Sequence, residues 1–184
     1  MKHTELKLNE AKYFLEQMER HADSPNEFVY NLSAFLCAAR SVTFVMQEEF
    51  SRVPGFRKWY SKKQKWMEQP ENKELFEFFK DLRNVVVHQQ PVIPKKTVNL
   101  EIAETVAIVE SLIIEVRDKD GNLLQRDESD SQTENHDKDV NNTPVKVEYI
   151  WYFDEKPEID VVILCRRYIE KLESLVVECI ERFS

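Results

Sequence analysis

Glycine is scarce in this sequence, which has 184 residues and only 2 glycines, Gly55 and Gly121. These residues stand too far apart to form G-x-G-x-x-G or G-x-x-x-x-G-K, the loops whose backbone N–H groups hold phosphates. Folds built from many tight turns also use more glycine than this. The composition therefore excludes the common glycine-rich nucleotide loops and favours a mainly helical chain.

Cysteine is also scarce, and long apolar runs are missing. The 3 cysteines are odd in number, stand far apart and fall within apolar helical patterns, so we interpret them as buried thiols.

Residues 1–10 lack the apolar core of a signal peptide, and no apolar run approaches the roughly 18 residues of a membrane-spanning helix. His3, His21 and His136 lack metal-site spacing, and Glu48 and Glu49 are interpreted as a solvated helix face. We therefore expect a cytoplasmic protein with no membrane association, metal or cofactor.

Positive charge is in deficit overall but is concentrated in one segment. With 26 Lys and Arg against 34 Asp and Glu, the net charge of −8 argues against a protein that coats nucleic acid non-specifically. Basic and aromatic residues are interleaved between Arg52 and Trp66, which we call the basic–aromatic segment. This segment and one arginine within an apolar helix provide weaker candidates for RNA binding: Arg40, Arg57, Lys58, Trp59, Lys62 and Lys63. The alternatives are a surface position for Arg40 and a core or interface position for Trp59.

Apolar residues recur every three or four positions in several segments, which is the spacing of one helical face. The pattern predicts four helices, over Leu8 to Ala22, Pro25 to Phe50, about Asn72 to His88, and Val161 to Phe183. Ser24 to Glu27 has the composition of a capping box with proline at the first helical position. The stretch from Phe56 to Trp66 allows a further short helix. Short loops make the first three helices antiparallel neighbours.

Between the third and fourth predicted helices, the apolar period changes to two residues. Val98 to Ile102 and Val145 to Phe153 alternate as strands do, and Asp120-Gly121 is a hairpin turn signal. The run from Arg126 to Asn142 is polar and acidic, so it cannot bury enough surface to be held in place. We predict one mainly α domain over 1–184: an up-and-down four-helix bundle with a small antiparallel β insertion over 92–154 and a mobile acidic loop over 126–142.

Arg83, Asn84 and His88, at the end of the third predicted helix, are the main candidate catalytic residues. Asn84 and His88 stand one helical turn apart, opposite the apolar face, whereas Arg83 and Val87 lie on a flank shared with Phe76. This second apolar stripe predicts a subunit interface with the three polar residues at its edge. The alternative is that Arg83 and His88 only offset the helix dipole, as cations near a C-terminus do.

The motif Arg83-Asn84-x-x-x-His88, on the third helix of a predicted four-helix bundle, resembles the R-N-x-x-x-H motif of the HEPN superfamily. The stretches Leu32 to Leu36 and Ala39 to Ser41 of the second predicted helix are similar in style. The resemblance covers residues 4–90 and 155–184 and excludes the β insertion. One departure is Gln90, where members partnered with a small nucleotidyltransferase often carry tyrosine, so regulation through such a tyrosine is not expected here.

This resemblance implies a homodimer in which two motifs form one composite, metal-independent endoribonuclease site that acts on RNA by 2′-hydroxyl attack. His88 would transfer protons, Arg83 would bind the phosphate oxygens, and Asn84 would orient His88 or bond the substrate. The implied setting is that of a toxin or phage-defence effector, with an antitoxin or a regulatory protein as a further partner. Because some members bind nucleotides and others are catalytically silent, a nucleotide-binding regulatory module and a non-catalytic dimeric scaffold are the alternatives.

Overall fold

A computed structural model describes residues 2–101, 114–117, 123–127 and 146–184 of the chain. Within these ranges the protein has five helices and four short strands. It is mainly helical, which confirms the predicted mainly α class. The elements in chain order are α1 (His3–Arg20), α2 (Pro25–Phe50), α3 (Phe56–Met67), α4 (Pro70–His88), β1 (Lys95–Glu101), β2 (Ile114–Arg117), β3 (Leu123–Asp127), β4 (Lys146–Tyr152) and α5 (Val161–Phe183).

The predicted helices are present, with changes at some of their ends. α2 and α5 have the predicted bounds, whereas α1 begins five residues before Leu8, at His3. α4 begins at Pro70, because proline fits the first turn of a helix. The stretch that allowed a short helix forms the complete helix α3, which brings the number of helices in the described part of the chain to five.

The start of α2 differs from the predicted capping box. Ser24 is the residue before the helix and Pro25 is its first residue, but the Ser24 side chain makes no capping hydrogen bond. Glu27 instead lies 2.8 Å from Nδ1 of His21, across the turn between α1 and α2. The reciprocal box is therefore wrong, since its glutamate pairs with the preceding helix end.

The main hydrophobic core brings together α1, α2, α4 and α5. α1 packs against α2 and α5, and α2 and α5 also contact α4. The side chains at the centre of this core are fully or almost fully buried, among them Met18, Phe28, Phe35, Phe79 and Leu172. The apolar positions that predicted the helices are therefore the ones that the core uses.

A second apolar cluster attaches α3 to the ends of α2 and α5. Phe56 stacks on Phe50 and Tyr60 and meets the edge of Phe183, with ring centroids 5.6–5.8 Å apart. Gly55 precedes α3 with φ of 87°, a left-handed conformation that glycine adopts without steric cost. The chain can therefore turn sharply after α2 and place α3 against α5.

The chain divides into two compact units, Met1–Val98 with Tyr149–Ser184, and Asn99–Glu148. In the first unit, Trp151 of β4 stacks on Phe28 at 4.2 Å and its Nε1 donates to the Ala22 carbonyl at 2.8 Å. β4 is hydrogen-bonded to β1 in a two-stranded sheet. The predicted strand from Val145 to Phe153 is thereby confirmed in β4.

In the second unit, β2 pairs antiparallel with β3, with Ile114 opposite Asp127. Arg126 and Asp127, the first two residues of the predicted mobile loop, thus belong to a strand, because they pair with β2. The rest of that loop, residues 128–142, and the predicted turn at Asp120-Gly121 lie outside the described residues.

By length and composition, α2 is apolar enough to cross a membrane, and it is the one such helix within the described residues. The sequence analysis expected no apolar run to approach the length of a membrane-spanning helix, and α2 shows that this expectation was wrong. The core helix of a soluble protein meets the same criterion, and α2 buries one of its faces against α1, α4 and α5.

Candidate functional site

The candidate catalytic residues occupy the last turns of α4. The backbone N–H groups of Gln89 and Gln90 donate to the Val85 carbonyl at 2.9 and 3.1 Å, which closes the helix immediately after His88. Pro91 follows and cannot continue a helix. The chain therefore presents His88 at an exposed helix end, where a C-terminal dipole also favours a cation.

Arg83 and Asn84 are half-buried and contact each other, whereas His88 is exposed. Nη1 of Arg83 donates to Oδ1 of Asn84 at 3.2 Å. His88 makes no hydrogen bond or ion pair within the ranges that the structure describes. Asn84 thus orients the guanidinium of Arg83, where the sequence analysis expected it to orient the imidazole or the substrate.

The second apolar stripe of α4 differs from its predicted role. Phe76 meets the ring of Trp66 from α3 at 5.9 Å and the ring of Tyr168 from α5 at 5.4 Å, so its partners are within the chain. Val87, at 46% exposed, remains open. Phe76 is therefore not part of the predicted subunit interface. The sequence pattern left it without a partner, but in the structure it packs against α3 and α5 of the same chain.

The basic–aromatic segment forms α3, and its candidate RNA-binding residues fall into two groups. Arg57, Lys58 and Lys62 are exposed. Trp59 is only 5% exposed, and its Nε1 donates to Glu178 of α5 at 2.6 Å, while Lys63 forms an ion pair with the same carboxylate. Trp59 is therefore a core residue, which agrees with the alternative interpretation given in the sequence analysis. Its ring has no face open for base stacking.

The carboxylate of Glu178 is held in its charged form by this pairing. The hydrogen bond from Lys63, followed by that from Trp59, lowers the pKa of Glu178 below its ordinary value. Lys63 also lies 5.7 Å from the ring centroids of both Trp59 and Trp66. Lys63 thus fastens α3 to α5, which leaves its charge less available to an RNA phosphate.

Arg40 lies beside a cavity on the α3 and α4 side of the molecule. Its Nη1 donates to Oγ1 of Thr43 at 2.9 Å, and its guanidinium lies 4.3 Å from the ring centroid of Phe44. Together with side chains of α3, α4 and α5, including Tyr60, Lys80 and Tyr168, it lines a cavity of about 240 Å³. Arg40 is therefore half-buried at a cavity, and the lining of that cavity does not include Arg83 or His88.

Two tyrosines at this cavity remain neutral at ordinary pH. Burial raises the pKa of Tyr168 to about 12, although the charge of Arg40 acts in the opposite direction. Burial also raises the pKa of Tyr60, partly offset by hydrogen bonding with Thr43. Both hydroxyl groups therefore act as neutral donors or acceptors.

Sequence reasoning missed the cavity, although one signal for it was present. Lys73, Glu77 and Lys80 are spaced by three and four residues and continue the face of Asn84 and His88 along α4. Tyr60 and Gln64 come from α3, whose position could not be inferred.

Within the described residues, no group of three or more His, Cys, Asp or Glu side chains is arranged to hold a metal ion.

A family model described as bacteriophage lambda protein ea47 matches residues 1–176. The match covers most of the chain, which therefore belongs to the phage lambda Ea47 family. No curated protein and no solved structure matches the chain. The resemblance to the HEPN superfamily was wrong: it depended on one short motif and two stretches of similar style, whereas the Ea47 match extends over nearly the whole sequence.

Proposed function

We propose that this member of the Ea47 family is a metal-independent endoribonuclease whose candidate catalytic residues are Arg83, Asn84 and His88. The observation that carries the proposal is the end of α4, where an exposed imidazole follows an arginine held by an amide. Imidazole is suited to proton transfer near neutral pH. Guanidinium can bind two phosphate oxygens through parallel N–H groups. Together these groups suit the cleavage of a phosphodiester.

The reaction uses the 2′-hydroxyl of RNA as its nucleophile. A general base removes the 2′-hydroxyl proton, the 2′-oxygen bonds to phosphorus, and the bond from phosphorus to the 5′-oxygen breaks. A general acid gives a proton to the departing 5′-oxygen, so the products are a 2′,3′-cyclic phosphate and a free 5′-hydroxyl. Arg83 binds the non-bridging oxygens as negative charge develops, and Asn84 holds the guanidinium in place.

One turnover needs both a general base and a general acid, and the end of α4 carries a single imidazole. A homodimer with the two α4 ends facing each other across a two-fold axis would supply the second His88. Val87, exposed between Arg83 and His88, offers an apolar side chain for this contact. The proposed active form is therefore a homodimer with one composite site for RNA.

The proposal includes a finer description of the fold, an up-and-down four-helix bundle of α1, α2, α4 and α5. The contacts of α1 with α2 and α5, and of α4 with α2 and α5, support this description. In such a bundle the core side chains of α4, such as Phe79 and Leu82, point inward. Asn84 and His88 then lie on the outer side of the helix, where RNA can reach them.

The test is RNA cleavage by purified protein in the presence of a chelator. We expect His88→Ala to reduce the cleavage rate by roughly 100-fold or more, the scale of general acid–base catalysis, without loss of fold. Arg83→Ala should have a comparable or larger effect. His3→Ala is the matched control, because it removes an exposed imidazole from another helix end and should leave the rate unchanged.

Product analysis and a DNA substrate complete this test. The products should end in a cyclic phosphate, and DNA of the same sequence should remain intact because it lacks the 2′-hydroxyl. Equal cleavage by wild type and His88→Ala would contradict the proposal. Absence of cleavage by any form, across RNAs of varied sequence and structure, would favour a non-catalytic dimeric scaffold.

A further inference from the structure

The face of α4 that carries Asn84 and His88 continues toward the start of the helix. Lys73, Glu77, Lys80, Asn84 and His88 are separated by three or four residues and therefore share one helical face. The first three line the cavity beside Arg40. The cavity and the candidate catalytic residues thus occupy one continuous surface of α4.

The cavity combines carbon surface with polar groups of several kinds. Met67 and Phe76, both half-buried, provide apolar surface at its lining, which also includes the buried Tyr60 and Tyr168. Glu77 lies 3.8 Å from Lys73, so these two charges largely offset each other. Lys80 has no ion pair within the described residues, and with Arg40 it supplies positive charge for an anion.

Exposed polar side chains complete the lining on the α3 side. Gln64 and Glu68 stand one turn apart and both border the cavity. Amide and carboxylate groups read the edges of nucleic-acid bases, because they match the bases' own donors and acceptors. The lining therefore pairs base-recognising groups with groups that bind phosphate.

We infer that this cavity binds one nucleotide unit, with its base against this half-buried apolar surface beside Gln64 and Glu68 and its phosphate between Arg40 and Lys80. The inference rests on the proposed function for its source, RNA held next to the cleavage site. A free mononucleotide has the same chemistry and is the other source that the test separates.

The dimensions agree with a single unit of a longer strand. The cavity of about 240 Å³ is smaller than the roughly 300–1,000 Å³ of pockets that enclose drug-sized ligands. Lys80 and His88 are eight residues apart, which corresponds to about 12 Å along a helix axis. Because nucleotides of one strand rise about 3.4 Å each in a duplex and extend further when single-stranded, RNA bound at the cavity reaches His88 within a few nucleotides.

The experiment measures binding, in the presence of a chelator, by isothermal titration of the full chain carrying His88→Ala, so that cleavage cannot interfere. The probes are the four ribonucleoside 5′-monophosphates and RNA tetranucleotides of mixed sequence. In this background, Lys80→Glu removes the phosphate contact and Gln64→Trp fills the cavity. Arg20→Glu is the matched control, because it reverses an exposed charge on α1 that does not line the cavity.

We expect Lys80→Glu and Gln64→Trp each to weaken binding by at least about tenfold, the scale of one hydrogen bond to a charged group. Arg20→Glu should change binding less than threefold, on the scale of surface charges, and circular dichroism should show that all three variants stay folded. Binding of tetranucleotides alone identifies RNA as the source, and equal binding of mononucleotides identifies a free nucleotide; both support the site.

Two outcomes would overturn the inference: no binding of either probe, or equal weakening by the cavity variants and by Arg20→Glu. These outcomes are separable from those of the proposed function. A wild-type protein that fails to cleave RNA can still bind nucleotides at the cavity, and a protein that cleaves RNA can do so with the cavity unused.

Discussion

At the scale of single residues, Glu49 shows how one carboxylate joins two helices. Its Oε2 accepts hydrogen bonds from the backbone N–H of Thr4 at 2.9 Å and from Oγ1 of Thr4 at 2.7 Å, and its Oε1 accepts from the His3 N–H at 3.2 Å. The start of α1 is therefore held by the end of α2. The sequence analysis interpreted Glu49 as part of a solvated face, because a pattern along one helix does not reveal a cap on another.

The pKa of Glu49 gives this contact a predictable pH dependence. Burial raises the pKa, but the hydrogen bonds from Thr4 and His3 outweigh it, so the folded value lies below the ordinary 4.5. The carboxylate therefore stabilises the fold above pH 4.5, and its contribution is lost as the pH falls through the lower folded pKa. We expect Glu49→Gln to lower the free energy of unfolding at pH 7 by about 0.3–1 kcal/mol.

Urea unfolding between pH 7 and pH 3 measures this effect. The difference between wild type and Glu49→Gln should shrink as the pH falls below 4.5. Glu48→Gln is the control, because Glu48 is the exposed neighbour on the same helix and should show no comparable change. A difference that stays constant down to pH 3 would show that the Glu49 charge does not contribute.

At the scale of elements, the turn into α3 depends on the left-handed backbone of Gly55. A Cβ at this position would lie 3.8 Å from the Phe183 ring, an ordinary contact, so the cost of a side chain comes from the backbone. We expect Gly55→Ala to lower the free energy of unfolding by about 1 kcal/mol, measured by urea unfolding. Ser61→Ala, at an exposed site within α3, should change it by less than about 0.5 kcal/mol. A Gly55→Ala variant as stable as wild type would rule out the backbone cost.

The regularity of the apolar spacing explains which helices could be predicted from the sequence. α2 and α5 carry long, regular apolar faces, and their periodicity alone defined their bounds. α3 was left uncertain because most of its residues are basic or polar, and because Trp59 and Tyr60 are buried in a cluster that includes residues of α2 and α5. Contacts between elements that are distant in sequence decide such a helix, and a local pattern does not contain them.

The candidate catalytic residues could be predicted from the sequence, whereas the cavity could not. Arg83, Asn84 and His88 could be found because they share one helix end, although the superfamily inferred from them was wrong. The cavity could not be found, because Arg40, Tyr60 and Lys80 come from three different helices. Phe76 illustrates the same limit, since its partners Trp66 and Tyr168 lie outside its own helix.

At the scale of the whole molecule, the acidic segment over 128–142 should be dispensable for folding. The main core lies in the unit formed by Met1–Val98 and Tyr149–Ser184. The segment itself is too polar to bury much surface. We expect a chain without residues 128–142 to keep its helical circular dichroism and to unfold cooperatively in urea. Loss of the folded state on this deletion would show that the segment is structural.

The association of two chains is the last property that the proposed function requires. We expect light scattering to give a mass of twice 22.0 kDa at micromolar concentration. Val87→Glu should yield monomers, because a symmetric contact would bring two new carboxylates together without partners. The RNA cleavage rate should fall with the mass, since each composite site then loses one His88.

Val177→Glu is the matched control for this prediction. Val177 lies on α5 and is 47% exposed, against 46% for Val87, so both variants place a charge at an equally open apolar position. Val177→Glu should remain dimeric and active, while Val87→Glu should keep its helical circular dichroism and lose both properties. A wild-type monomer that cleaves RNA, or a Val87→Glu dimer with full activity, would contradict a composite site at the end of α4.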